Sequence, residues 1–274
     1  MLPSFLLSLR EGLEAALIIG IVLGAVRKIR RPELVPVVWS GALSAIGVSG
    51  VTALILNYLD AELEGSTEVI FEGVTMLLAA GLLTWMIFWM HRQSRSIRGE
   101  LEAGVRRATS TTGKKAIFFL SFLSVLREGV ELAIFITAAS LATDPQQSLG
   151  GAVLGLGAAS LLGWSLFAST VRLDLGRFFQ ITGFLLILFA AGLVAHGVHE
   201  LNEVGWIPAV IDHVWDVNFI LNEQSTIGQM LITLFGYNSN PSLTEVLAYL
   251  GYFGALAIGL KLNSHAAVPS TQEA

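Results

Sequence analysis

The pentad REGLE at residues 10–14 returns as REGVE at residues 127–131, an offset of 117 positions. Each copy lies inside a long apolar segment, the first at about 4–26 and the second at about 116–138. About 20 consecutive apolar residues are enough to cross a lipid bilayer as a helix. The pattern therefore predicts two charged motifs inside two membrane-spanning helices.

The composition of the whole chain agrees with a membrane location. Of the 274 residues, 54% are hydrophobic and only 14% are charged, and the mean hydropathy is +0.70. An ordinary soluble domain has about 25% charged residues. The low content of charged residues excludes a soluble enzyme, and the net charge of −5 argues against a nucleic-acid-binding protein. The absence of cysteine excludes disulfides, iron–sulfur clusters and thiolate metal sites.

Seven segments are predicted to span the membrane, at about 4–26, 36–57, 69–90, 116–138, 150–171, 179–199 and 243–262. With seven crossings, every Lys and Arg outside the helices falls on one side of the membrane. On the other side, Lys and Arg are absent and the charged residues are all Asp or Glu. Because basic loops stay in the cytoplasm, the N-terminus is predicted outside and the C-terminus inside. The semi-apolar stretch 206–237 is predicted to be interfacial or re-entrant, since an eighth crossing would break this charge pattern.

Further similarities indicate an internal repeat. The second and fifth helices each carry a stripe of small residues at every fourth position, with an offset of 110 between the stripes: Gly41, Ala45, Ser49 and Ala53 in the second helix, and Gly151, Gly155, Ala159 and Gly163 in the fifth. The third and sixth helices share the sequence AAGL at 79–82 and 190–193. Because each unit has three spans, the second copy enters the membrane from the opposite face, as in many secondary transporters. The predicted fold is therefore all-α, a polytopic membrane protein with an inverted 3+3 repeat and one additional helix.

This organisation makes residues 1–274 a single transmembrane domain. Its predicted parts are repeat A at about 4–90, repeat B at about 116–199, an external segment at about 200–242, helix 7 at about 243–262 and a cytoplasmic tail at 263–274.

The charges of each pentad share one helix face. With the arginine at 0°, the two glutamates lie at about 100° and 40° on a helix. Each ionised side chain at mid-membrane costs about 2.5–3.5 kcal/mol, so six cost on the order of 15–20 kcal/mol and must face one another, water or an ion. Glutamate oxygens suit hard cations and iron. The predicted metal ligands are Glu11, Glu14, Glu128 and Glu131, supported by Arg10 and Arg127, which keep the carboxylates ionised, and by Glu72. The alternative is that the Arg–Glu pairs only lock two helices together.

Two further groups are candidates for secondary metal sites. Glu68 ends an acidic external stretch that either collects cations or is ordinary solvated surface. His199 and Glu203 are one helical turn apart, with Glu200 between them. The HExxE pattern lacks the second histidine of the zinc-protease signature. A metal entry or handover site and a structural role both remain open for these residues.

Two REGxE pentads on the first and fourth helices of a seven-helix protein resemble the oxidase-dependent iron permease family, which includes fungal high-affinity iron permeases and bacterial EfeU-type iron permeases. Further matches are FEG at 71–73, HELNE at 199–203, LFGYN at 234–238 and NPS at 240–242, so the resemblance covers nearly the whole chain.

This resemblance implies iron uptake across the plasma membrane, with the pentad glutamates carrying iron. It also implies an extracytoplasmic partner, an iron oxidase or iron-delivery protein, that handles the oxidation state. Iron is then the transported substrate, with no bound organic cofactor and no enzymatic activity expected. The chain lacks the long cytoplasmic tail of fungal members, which favours a bacterial membrane.

Other functions remain alternatives at this point. A membrane-embedded metalloenzyme would use His199, Glu200 and Glu203, and a metal sensor would bind iron without conducting it. Another divalent cation is an alternative substrate. The oligomeric state cannot be predicted.

Overall fold

A computed structural model describes residues 1–93, 113–142, 145–168, 175–219 and 235–265, with isolated positions between 99 and 107 and between 225 and 232. The described residues contain seven long α-helices and no strand. The helices are α1 Leu2–Lys28, α2 Val35–Glu62, α3 Ser66–Gln93, α4 Lys114–Leu141, α5 Pro145–Ala168, α6 Leu175–Glu203 and α7 Leu243–His265. Most of the basic segment between α3 and α4, most of 220–234 and the tail after His265 lie outside the described residues.

The helix ends follow local sequence signals. The fifth helix, predicted at 150–171, begins earlier, at Pro145. Proline suits the first turn of a helix, where its missing N–H would have no partner. A short 3₁₀ helix at Pro32–Leu34 precedes α2, and Gly65, at a φ of +63°, separates α2 from α3.

Five of the seven helices are long and apolar enough to cross a membrane, namely α2, α3, α5, α6 and α7. The other two, α1 and α4, carry the charged pentads. Large apolar side chains point outward on the flanking helices, where Leu54 on α2 is 71% exposed and Leu161 on α5 is 70% exposed. Apolar side chains exposed along a hydrophobic helix are those that lipid covers in a membrane protein. The chain is therefore an all-helical, multi-pass membrane protein.

The main helix pairs are α1 with α5, α2 with α4, and α3 with α6. In addition, α1 contacts α4, and α7 packs against α6. A core that includes the inaccessible side chains of Leu7, Leu83, Phe135 and Leu186 joins α1, α3, α4 and α6. The two helices that carry the pentads therefore lie within the bundle.

Two of these helix pairs make matching contacts. A Cβ on Gly41 of α2 would lie 2.6 Å from the carbonyl oxygen of Phe118 on α4, and a Cβ on Gly151 of α5 would meet the carbonyl oxygen of Met1. Adding 110 to the number of one glycine gives the other, and adding 117 to Met1 gives Phe118. The two contacts are thus separated by the same offsets that separate the two pentads and the small residues of α2 and α5.

The direction of α5 relative to α1 follows from a second glycine. Gly151 lies beside Met1, while a Cβ on Gly163 would lie 2.8 Å from the Cβ of Ala16. The residue numbers of the two helices rise together, so α1 and α5 run parallel.

The segment between α6 and α7 is attached to both helices. Its first part, 206–219, contains no helix. The amide of Leu243, the first residue of α7, donates a hydrogen bond to the carbonyl of Ile211 at 3.0 Å. Gly236, at a φ of +65°, lies directly on Gly192 of α6, where a Cβ on Gly192 would be 2.7 Å from the Gly236 nitrogen. A side chain at either glycine would push this segment away from α6.

Candidate metal site

The two pentads meet where α1 contacts α4. Carboxylate oxygens of Glu11, Glu128 and Glu131 all lie within 4.8 Å of one another. The three residues are only 1%, 4% and 8% exposed. Among the described residues, they form the one group of three His, Cys, Asp or Glu side chains with metal-binding spacing. We call these three residues the carboxylate cluster.

Each pentad arginine pairs with the glutamates of its own pentad. Arg10, which is 1% exposed, places Nη1 3.5 Å from Glu11 Oε1 and Nη2 3.3 Å from Glu14 Oε1. Arg127 Nε donates to Glu131 Oε1 at 2.9 Å and lies 3.8 Å from Glu128 Oε1. The arginine and the second glutamate are four residues apart, which is the spacing at which helix side chains meet.

Two consecutive residues of α3 also contact the arginines. Arg10 Nη1 lies 3.0 Å from the sulfur of Met86, and Arg127 Cζ lies 5.6 Å from the ring centroid of Trp85. The second contact has the geometry of a cation–π interaction. Sequence reasoning missed Trp85 and Met86, because neither residue type marks an arginine contact by itself.

The carboxylate cluster has unsatisfied oxygens. The Oε2 atoms of Glu11, Glu128 and Glu131 are buried and accept no hydrogen bond from the described residues. Buried carboxylates are normally hydrogen-bonded, paired or bound to a metal. Three such oxygens from two helices make a donor set that suits a hard cation or iron.

A cavity of about 1010 Å³ adjoins this cluster. Glu11 and Glu128 line it, together with small and apolar residues of α1, α2, α4 and α5. Along α1 the lining continues past Gly20 to Arg27 at the end of the helix. The cluster therefore lies beside a space that runs along α1 to Arg27 and also includes Ala152, near the start of α5.

The central glycine of each pentad lies at a helix contact. A Cβ on Gly12 would be 2.7 Å from the Cβ of Ala159 on α5, and a Cβ on Gly129 would meet the side chain of Ser49 on α2. These glycines therefore pack against the small-residue stripes of α5 and α2. Ser49 and Ala159 are themselves 110 positions apart, the same offset that relates the two stripes.

The remaining predicted residues lie outside the carboxylate cluster. Glu14 pairs with Arg10, and its side chain is 12% exposed. Glu68 and Glu72 are partly buried on α3, and neither belongs to the cluster. Three of the four predicted ligands therefore converge. The fourth, Glu14, is linked to them by Arg10, which pairs with both Glu11 and Glu14.

A second group of polar side chains joins the end of α6 to the start of α7. His199 Nδ1 lies 3.0 Å from Glu245 Oε1, and His199 Nε2 lies 3.5 Å from Glu203 Oε1. Glu245 is buried and also accepts hydrogen bonds from the Ser242 amide at 3.0 Å and from Asn238 Nδ2 at 2.8 Å. Glu200, beside His199, is partly buried.

Sequence reasoning did not single out Glu245, although a signal existed. In the sequence SLTE at 242–245, the Glu245 amide in turn lies 3.2 Å from Ser242 Oγ. Reciprocal bonds between a serine and a glutamate three residues later form a capping box at a helix start.

The sequence of nearly the whole chain, residues 1–265, matches the iron permease FTR1 family. The chain belongs to that family. Because a permease family is a family of transporters, the expectation of a membrane transporter rather than an enzyme is confirmed for this FTR1-family protein.

Curated relatives of this FTR1-family protein are similar over most of its length. It is 32% identical to the ferrous iron permease EfeU of Shigella sonnei (strain Ss046) over 281 residues, covering 100% of both chains. It is 33% identical to the protein of the same name from Escherichia coli O6:K15:H31 over 259 residues, covering 92% of both. The identity to ferrous iron permease EfeU of Yersinia pestis is 32%, covering 92% of this chain and 90% of the relative. No solved structure matches the chain at a significant level.

Proposed function

We propose that this protein carries iron across the plasma membrane and binds it through the pentad glutamates Glu11, Glu14, Glu128 and Glu131. The observation that supports this most directly is the convergence of three buried carboxylates from α1 and α4 within 4.8 Å. Membership of the iron permease FTR1 family and the ferrous iron permease names of the relatives support iron as the transported substrate.

Electrostatics explains why the cluster needs a cation. Two carboxylate charges about 5 Å apart repel each other by roughly 3 kcal/mol at an effective dielectric constant of about 20. Four pentad glutamates and two arginines leave a net charge of −2, which a divalent cation balances. The arginines orient one side of the carboxylates, and the Oε2 atoms are left for the ion.

The proposed topology has seven membrane spans, with the N-terminus outside and the C-terminus in the cytoplasm. The distribution of Lys and Arg along the chain supports this orientation. The matched contacts of Gly41 with Phe118 and of Gly151 with Met1 support an inverted repeat of α1–α3 and α4–α6. Parallel packing of α1 and α5 is also what seven alternating crossings require.

Cysteine labelling tests this topology directly, because the chain has no natural cysteine. Ser66, at the start of α3, and Lys114, at the start of α4, are both exposed. In intact cells, a membrane-impermeant maleimide should label Ser66→Cys but label Lys114→Cys only after the cells are opened. Labelling of both from outside would contradict the proposed orientation.

Iron is proposed to enter from the acidic external side, past Glu68 and Glu72, after an extracytoplasmic iron oxidase or iron-delivery protein presents it. The run of acidic residues before α3 supports this, since charge of one sign attracts cations. The cavity beside Glu11 and Glu128, which continues to Arg27, offers a way onward to the cytoplasm.

Uptake of radioactive iron into proteoliposomes tests the proposed site. Glu128→Gln and Glu131→Gln keep the side-chain shape but remove the charge, so both should abolish uptake. Glu33→Gln is the matched control, because Glu33 is 51% exposed, pairs with Arg31 and lies after the end of α1, outside both pentad helices. Uptake by Glu131→Gln at the wild-type rate would refute the role of this carboxylate as a ligand.

The same experiment separates transport from sensing. A sensor would bind iron on the outside of the vesicle without accumulating it in the lumen, so its bound iron would be removed by an external chelator. Iron accumulated by transport should resist the chelator.

A further inference from the structure

We propose that His199 and Glu203 form a second metal-binding site, at the end of α6, with Glu245 orienting the histidine. This site deepens the proposed function, on which it rests: it holds a divalent cation on its way to the carboxylate cluster. We call it the outer site, because the charge distribution puts this end of α6 outside the membrane.

The hydrogen bonds of Glu245 determine which nitrogen of His199 is available. Glu245 Oε1 accepts from the Ser242 amide and Oε2 accepts from Asn238, and the residue is 3% exposed. A carboxylate in this position accepts, so His199 Nδ1, 3.0 Å away, carries the proton and donates it. In the neutral imidazole, Nε2 then presents its lone pair.

A carboxylate that accepts from one ring nitrogen while the other nitrogen faces a ligand position is the usual second-sphere arrangement of metal-binding histidines. It fixes both the tautomer and the orientation of the ring. Here the carboxylate is itself fixed by the capping box that begins α7, so the ring is tied to two helices.

The geometry on the other side of the ring fits a cation. His199 Nε2 lies 3.5 Å from Glu203 Oε1. Two ligand atoms each about 2.1 Å from one ion are about 3.0–3.5 Å apart at angles of roughly 90–115°. Imidazole and carboxylate together suit iron and similar divalent metals. The two ligands are one helical turn apart, so they share a face of α6.

Exposure favours a metal site over a structural ion pair. The side chains of His199 and Glu203 are 40% and 57% exposed. Ion pairs exposed to this degree typically contribute only about 0–1 kcal/mol to stability. A neighbouring contact already joins α6 to the start of α7, since the side-chain amide group of Asn202 lies 2.8 Å from Ser242 Oγ. Partial exposure is also what an ion arriving from solvent requires.

Manganese(II) bound to the purified full-length protein is the probe for this site. The carboxylate cluster offers only oxygen ligands, whereas the outer site offers an imidazole nitrogen. Electron spin echo envelope modulation of bound manganese should therefore show ¹⁴N coupling in the wild type. The coupling should be lost in His199→Gln and retained in His213→Gln, the matched control, because His213 is an exposed histidine of the segment after α6.

Additional variants separate this inference from the proposed function. Glu131→Gln should keep the ¹⁴N coupling although it loses iron uptake, because it leaves the outer site intact. Glu203→Gln should raise the KM for iron with little change in maximal uptake. Glu245→Gln should weaken the nitrogen-coordinated manganese by about 10–100-fold. Absence of ¹⁴N coupling in the wild type, or its survival in His199→Gln, would overturn the outer site.

Discussion

Replacing Gly12 by alanine tests how closely α1 must approach α5. The added Cβ would lie 2.7 Å from the Cβ of Ala159. Carbon atoms attract best at about 3.5–4.0 Å, so the helices would have to separate by about 1 Å. Glu11 precedes Gly12 and would move with α1. Because inserting a methyl group into a packed contact costs about 1–3 kcal/mol, we expect the free energy of unfolding to fall by that amount.

Two further variants isolate the steric cause. Gly24 is also on α1, but a Cβ there would meet nothing within 4 Å. Alanine is favoured over glycine in a helix by about 1 kcal/mol, so Gly24→Ala should be at least as stable as the wild type. Adding Ala159→Gly to Gly12→Ala removes the opposing methyl group and should restore most of the lost stability and the iron uptake.

The assay is reversible unfolding in mixed detergent micelles, with iron uptake measured on the same preparations. If Gly12→Ala proves as stable as Gly24→Ala, the close contact of α1 and α5 is refuted. If Ala159→Gly fails to rescue Gly12→Ala, the loss has another cause than this pair of atoms.

Three other substitutions test single contacts of Arg127, Met86 and Gly192. Arg127→Lys should reduce iron uptake into proteoliposomes. A lysine ammonium group cannot both donate to Glu131 and stack flat on the ring of Trp85. Uptake at the wild-type rate would refute this role of Arg127. Met86 is 1% exposed, so Met86→Ala should lower the free energy of unfolding by about 2–5 kcal/mol. Met86→Leu nearly keeps the side-chain volume and should lower it by less than about 1.5 kcal/mol. Equal losses in the two variants would show that the cavity left by the side chain is not the cause. Gly192→Ala should speed amide hydrogen exchange in residues 235–242, because the added Cβ would clash with Gly236. Gly183→Ala, whose Cβ would meet nothing within 4 Å, should leave the exchange unchanged. Unchanged exchange in both variants would contradict the contact of Gly192 with Gly236.

The helices could be predicted well because their signal is local. In the part of the chain that the structure describes, long apolar runs predict the ends of each long helix to within five residues. The largest errors are at the end of α2 and at the start of α5. At α5, Pro145 begins a first turn that an apolar window does not include, since the residues after it are polar.

Part of the geometry of the candidate site could also be predicted, because buried charge is costly. That cost predicted that the charged groups face one another, water or an ion, and the glutamates of the two pentads do meet where α1 contacts α4. The contacts of Met86 and Trp85 with the arginines could not be predicted, since one sequence does not tell which helix lies beside which. For the same reason, the sequence did not predict that Gly12 packs against α5 and Gly129 against α2.

The outer site shows a different limit. The spacing of His199 and Glu203 was visible in the sequence, but the proton on Nδ1 depends on Glu245, which is 46 residues further along the chain. A spacing of one helical turn brings two side chains together on one helix. It says nothing about a third side chain that arrives from another helix.

In the proposed mechanism, carboxylates from both pentads hold the same iron ion. Diffraction from iron-soaked crystals of the full-length protein, recorded at wavelengths on both sides of the iron absorption edge, tests it most directly. A shared iron ion should give an anomalous peak between Glu11, Glu128 and Glu131, with oxygen ligands from α1 and α4. A peak that contacts only one pentad, or no peak between the pentads in protein that transports iron, would contradict it.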